Sequence, residues 1–254
     1  MHIIKLRITG AKVKGESFID ETSYYLSILF RSKQIINEEW QFEPISNGVQ
    51  INLFCPEKDS YTSEYSTKYA IRQKQKIKNE FECNFDYKYV GLDPEFGELI
   101  IPEVSEFYIL KFGRISPLVD GKSFEQIPLY KIPYTSEESE NYEDLTCWEN
   151  KYEHIRGIWL YSYGNDRWSL QQLHNHNSEL NIEGTNCCQT IEKLTKIPTY
   201  NFLFNYRAWG QKKDKERKCP NCGGDWFIEG STFNDFYSFK CDNCRLISEL
   251  SSNK

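Results

Sequence analysis

The 254-residue sequence predicts an α+β fold, and three observations carry that prediction. Strand-like alternation opens the chain. Helical and strand-like stretches then interleave without an internal repeat. Near the C-terminus, two Cys-x-x-Cys pairs bracket a hairpin-like segment.

In the opening stretch Ile4, Leu6 and Ile8 share one face, the period-2 pattern of a half-buried strand. A helix follows, with Thr22 or Ser23 as its cap and Tyr25, Leu26, Leu29 and Phe30 turned inward. The runs WQFEP and GVQINLFC read as strands, with Asn47-Gly48 as the turn between them. A second helix is expected over residues 62–80, and FECNFDYKYV reads as the next strand. The resulting β-α-β-β-α-β order is that of a ferredoxin-like split βαβ unit.

Residues 104–133 add two strand-like runs, EFYILKF and SFEQIPLYKIP, with Asp120-Gly121 as a turn between them. The acidic stretch TSEESENYED (135–144) marks a domain boundary, and its charge suits the positive end of a following helix. Leu145, Trp148, Tyr152, Ile155 and Trp159 then form a helical stripe. Shorter helices are expected around 166–174 and 184–196, IPTYNFLFNY returns to strand character, and WGQKKDKERK is the last linker. The expected domains are an α+β domain over 1–134, a mainly helical region packed on it over 135–210, and a zinc ribbon with its basic linker over 211–254.

Aromatic residues make up 15% of the chain and charged residues 27%, which describes a globular chain able to fill a core, not a disordered one. The start, Met1-His-Ile-Ile-Lys, lacks the pattern of a secretory signal, and no uncharged apolar run is long enough to cross a bilayer. The expectation is a cytoplasmic protein with no membrane partner. An odd number of cysteines, nine, in a reducing compartment points to metal binding or burial and away from a disulfide framework. The net charge of −6 excludes a surface that attracts polyanions everywhere. Residues 211–254 carry eight Lys/Arg against seven Asp/Glu, so any nucleic-acid contact must be local.

Eighteen residues separate Cys219-Pro-Asn-Cys222 from Cys241-Asp-Asn-Cys244, a spacing that fits a four-cysteine zinc site. Two thiolates three residues apart grip one side of a tetrahedral ion, and a second pair completes the coordination. Gly223 and Gly224 allow the positive φ angles of a tight knuckle and leave N–H groups to point at sulfur. A redox Cys-x-x-Cys would need one pair beside a βαβ pattern, whereas two matched pairs flank a hairpin here. All four positions are protein ligands, so the predicted cofactor is one structural zinc ion.

Residues 217–226 (RKCPNCGGDW), 240–246 (KCDNCRL) and the upstream Ile197-Pro-Thr-Tyr200 resemble an uncharacterised bacterial family, described as zinc-ribbon-containing and as a candidate for nucleic-acid binding. The resemblance is specific over the last forty or so residues. It implies zinc at Cys219, Cys222, Cys241 and Cys244.

For nucleic acid as partner, Lys212, Lys213, Lys215, Arg217 and Lys218 supply a local cluster able to neutralise phosphates. Trp226, Phe227, Phe233, Phe236, Tyr237 and Phe239 are more aromatics than a small stapled hairpin needs. Trp226 and Tyr237 are candidates for base stacking, and Arg245 is a further cation. Against this stands docking of the same rings onto the main domain or a protein partner. Lys68, Arg72 and Lys76 share one helical face and form a second basic patch, whose bland reading is a solvated surface. A protein-interaction or adaptor module is the competing function.

An enzyme ranks third, because no catalytic constellation emerges. Gly121-Lys122-Ser123 resembles the tail of a P-loop, but Ser116 stands where the first glycine belongs. Asp86-Tyr-Lys88 is half of a nuclease pattern that also arises by chance. His174, His176, Cys187 and Cys188 offer a second metal site, weighed against a polar helix end beside packed cysteines. Cys55, Cys83 and Cys147 read as core residues, and His2 and His154 as local packing.

Overall fold

In the computed structural model, which describes residues 1–136, 140–206, 211–228 and 237–250, strand β1 (His2–Gly10) buries Ile4, Leu6 and Ile8. Helix α1 (Glu16–Arg31) begins earlier than its cap-like residues suggest. Gly15 caps it at φ 87°, while Thr22, expected as a cap, is buried in mid-helix with Tyr25, Leu26 and Leu29. The aromatic face starts one turn further back, at Phe18, and its burial outweighs the weak cap signal. Strands β2 (Glu43–Ile45) and β3 (Gly48–Cys55) form the hairpin. Helix α2 (Lys68–Glu80) starts at its Thr67 cap, whose side chain accepts from the Ala70 N–H, and leads into β4 (Cys83–Leu92). The sheet is antiparallel throughout, in the order β2-β3-β1-β4.

The chain divides into two compact units. The first comprises Met1–Ile101 and Pro128–Glu143, the second Pro102–Ile127 and Asp144–Lys254. Within the first, α1 and α2 share a core with the sheet around Phe18, Leu26, Leu29, Ile51, Leu53 and Ile77. The sequence groups residues 102–127 with the strands before them, whereas they lie in the second unit because β5 (Tyr108–Leu110) pairs parallel with a strand ninety residues further on. SFEQIPLYKIP is no strand. Gln126 makes one bridge to Val119, and Leu129–Lys131 is a 3-10 turn.

In the second unit, β6 (Leu118–Asp120) pairs antiparallel with β5. Helices α3 (Glu143–Tyr161), α4 (Arg167–His174) and α5 (Glu179–Thr195) follow, the last two capped by Asp166 and Ser178. Lys196 ends α5 in the left-handed conformation. Strand β7 (Thr199–Leu203) is buried throughout. After the short helix α6 (Gln211–Lys215), β8 (Phe239–Cys241) and β9 (Leu246–Ser248) complete a five-stranded sheet in the order β6-β5-β7-β9-β8. The hairpin that carries the cysteines is therefore continued into the sheet of its unit: β9 runs parallel beside β7.

No helix among the described residues is long and apolar enough to cross a membrane.

Candidate metal centre

Cys219 and Cys222 lie on a loop after α6, Cys241 ends β8 and Cys244 lies on the turn from β8 to β9. One sulfur from each of the four comes within 4.8 Å of every other. The Cys222 and Cys241 sulfurs are 3.7 Å apart. A tetrahedral zinc with Zn–S bonds of about 2.3 Å requires sulfur–sulfur edges of about 3.8 Å, which the Cys222–Cys241 pair has, and the four thiols fit such an ion in number and chemistry. Among the described residues it is the one group of three or more His, Cys, Asp or Glu side chains gathered in this way.

The first knuckle is tied by the Cys219 N–H donating to the Gly224 carbonyl and the Gly223 N–H to that of Cys219, both at 2.8 Å. Gly223 has φ 72°, as its position in the motif predicts. The Gly224 N–H and neighbouring thiols donate to the Cys222 sulfur and bring its pKa down to about 7. Burial pushes the Cys219 thiol up, against N–H groups of Cys222 and Asn221 that favour its thiolate. Burial also pushes Cys244 up, to about 12. A bound cation would displace the thiol protons that remain.

Behind the sulfurs, Cys219, Trp226, Phe239, Cys241, Leu203 and Leu246 form one buried cluster. Bridge pairing of Phe227 with Phe239 joins the two arms, and Trp226 Nε1 donates to the Arg217 carbonyl at 2.9 Å. The second knuckle is fastened to α5. Arg245 makes a two-pronged contact with Glu192 at 2.9 and 2.8 Å and also donates to the Asp242 carbonyl. Tyr200 on β7 donates to the Asp242 carboxylate at 2.6 Å, and Lys240 pairs with the same carboxylate.

The structure corrects several of the contact residues read from the sequence. Trp226 and Tyr237 are 2% and 5% exposed and cannot stack on bases. Tyr237 packs against Phe107 and Phe124, so this ring serves the interior of the unit. Arg217 is engaged within its own unit. It pairs with the buried Asp214 at 2.9 Å, donates to the Glu249 carbonyl and lies 4.2 Å over the Phe239 ring. Arg245 is committed to Glu192. Lys212, Lys213, Lys215 and Lys218 are exposed, with Lys218 paired to Asp225. Phe233 and Phe236 lie outside the described residues.

The second basic patch belongs to the first unit. There Lys68 pairs with Glu140 at 3.2 Å and Lys76 with Glu21 at 2.6 Å, while Arg72 is exposed. His174, His176, Cys187 and Cys188 do not gather as a ligand set. Both cysteines are buried on α5, where burial pushes Cys187 up to about 12. Cys55 and Cys83 are buried as expected, but Cys147 is exposed on α3. Gly121-Lys122-Ser123 forms a turn held by Asp120, which accepts from the N–H groups of Lys122 and Ser123. Sequence reasoning missed Glu192 and Tyr200, which lie 53 and 42 residues from their partners Arg245 and Asp242. Tyr200 stands in the Ile197-Pro-Thr-Tyr200 motif, but no local pattern gives it or Glu192 this role.

This architecture defines a mixed α+β protein with a C-terminal cysteine tetrad able to hold a metal ion. Two family models match: Domain of unknown function (DUF2310) over residues 102–204 and Domain of unknown function (DUF8594) over residues 210–254. An uncharacterized protein of Haemophilus influenzae is 30% identical over 241 residues, covering 92% of this chain and 89% of that protein. A second uncharacterized protein of the same organism is 33% identical over 185 residues, 69% of this chain and 88% of that protein. The chain belongs to the DUF2310 family of uncharacterised bacterial proteins. No solved structure matches it. The first match begins at Pro102, where the second unit begins, and the β7–β9 pairing and the Arg245–Glu192 contact both join the two matched regions.

Proposed function

We propose that the tetrad holds one zinc ion as a structural centre and that residues 211–254 are a zinc ribbon fused to the sheet of the second unit. The sulfur geometry supports this reading: among the described residues four thiols gather within 4.8 Å of one another, with the Cys222–Cys241 pair at the spacing a tetrahedral ion needs. With all four positions filled by protein, no coordination site remains to activate water. The ion's work is to hold the two knuckles together and, through β9, the end of the sheet. In the first unit, the element order and the β2-β3-β1-β4 sheet support a ferredoxin-like assignment of residues 1–92. Metal analysis of the purified full chain tests the centre. One zinc per chain, and the charge-transfer bands of a tetrathiolate site when cobalt replaces it, are the expected results. A metal-free protein of unchanged stability overturns the reading.

For the contact surface, the exposure of Lys212, Lys213, Lys215 and Lys218 supports electrostatic binding of a nucleic-acid backbone without base stacking. Replacing these four lysines by glutamine should lower the salt dependence of single-stranded DNA binding by about 3 in log–log slope. An unchanged slope would remove them from the interface. Absence of nucleic-acid binding altogether would favour the adaptor reading.

A further inference from the structure

Alternation along the strands of the second unit separates two faces of its sheet. Asn201 faces α5, where its side chain meets the Asn181 carbonyl at 3.1 Å. Phe202 lies on the opposite face, together with Ile109, Val119, Tyr237 and Ile247 in one buried cluster. A cavity of about 150 Å³ opens on that side. This is the size of an engineered apolar cavity that takes up benzene.

Its lining is not wholly apolar. Lys111, two residues beyond Ile109 and so on the same face, contributes to the wall, with its ammonium 4.2 Å over the Phe202 ring centroid. Burial holds the Lys111 pKa below the ordinary value. The acidic group acting on it, Glu249, is itself pushed up by burial, with Lys111 opposing that shift. Gln126 also lines the cavity. Its Oε1 accepts from the N–H groups of Ile115 and Ser116 at 2.8 and 3.1 Å, which fixes the amide plane and leaves Nε2 as the donor it can offer.

We propose that this cavity binds a small carboxylate with an apolar body, the size of a benzoate, with Lys111 as its cationic anchor and the Gln126 amide as a second donor. The walls bury the apolar body. The ammonium then meets the carboxylate away from bulk water, where a charge-assisted hydrogen bond is strongest. This site does not depend on how the cysteine tetrad is read.

The test is fluorine NMR titration of the full chain with 4-fluorobenzoate and with its neutral counterpart, 4-fluorobenzyl alcohol. The acid should bind about tenfold or more tightly than the alcohol, the share expected of one charge-assisted hydrogen bond. Lys111→Met should abolish that preference while leaving alcohol binding in place, and Lys111→Arg should keep it. Val119→Phe, which fills the cavity, should weaken both probes, with circular dichroism confirming that each variant folds. No saturable shift with either probe at millimolar concentration, or equal affinities that Lys111→Met leaves unchanged, would overturn the proposal.

Discussion

Gly223 and Arg245 hold matching places in the two knuckles: each follows the second cysteine of its pair, and each has a positive φ, 72° and 53°. Glycine adopts that conformation without steric cost, whereas arginine there is strained by about 1 kcal/mol. The side chain explains its presence, because Arg245 is the bracket that ties the second knuckle to Glu192.

Glu192→Ala should therefore destabilise the second unit by about 1–3 kcal/mol, since it keeps the strained backbone and leaves a partly buried guanidinium without its carboxylate. Arg245→Gly removes both the bracket and the strain and should cost less. Urea unfolding of the two variants makes the comparison, and a larger loss for Arg245→Gly would show that the left-handed backbone carries no strain.

Stability of this corner should fall in acid. The Arg245 contact holds the Glu192 carboxyl below the usual carboxylate range, and the Lys240 contact does the same for Asp242. A group whose folded pKa is lowered contributes stability that is complete above its unfolded value, about 4, and is lost as pH falls through the lower folded value. Glu192→Gln should flatten the acid limb of a stability–pH profile relative to the parent protein. Superimposable profiles below pH 4 would remove Glu192 from that linkage.

Serine at Cys219, Cys222, Cys241 or Cys244 should each reduce metal content to well below one ion per chain. Amide exchange should then speed up in β8 and β9 and, through the β7–β9 ladder, in β7. Exchange in β1 and β3 should stay as it was, because their core lies in the first unit. Equal protection across the second unit with and without the metal would contradict the structural role.

Gly184 tests the packing of α5. A methyl group there would come within 2.8 Å of Trp148 Nε1 and 2.9 Å of Asn201 Oδ1, both on buried side chains. Gly184→Ala should cost about 1–3 kcal/mol despite the better helix propensity of alanine. A stabilised variant in thermal unfolding would mean that Trp148 and Asn201 can yield.

Trp226→Ala should cost about 3–5 kcal/mol and weaken metal retention, as expected of a ring in the cluster behind the sulfurs. Trp226→Phe should recover most of both. A change confined to nucleic-acid affinity, with stability intact, would instead mark Trp226 as a surface ring.

Much of the fold was legible because its signals are local. Alternation in β1, the Asn47-Gly48 turn and the stripe of Leu145, Trp148 and Tyr152 on α3 are each written within one element. The tetrad was legible for a related reason: a tetrahedral ion constrains cysteine spacing directly, whatever surrounds it. Local patterns misled where tertiary burial outweighed them, as at Thr22 in α1 and in the strand-like run 123–133.

The sequence by itself determined which residues can act together at short range: the four sulfurs and the φ freedom needed at Gly223. Only the tertiary structure decided that Trp226 and Tyr237 are buried, that Arg217 and Arg245 are tied to Asp214 and Glu192, that β5 belongs with β7, and that Lys111 lines a cavity. Burial and long-range pairing depend on which distant segments meet. No residue encodes that in its own neighbourhood.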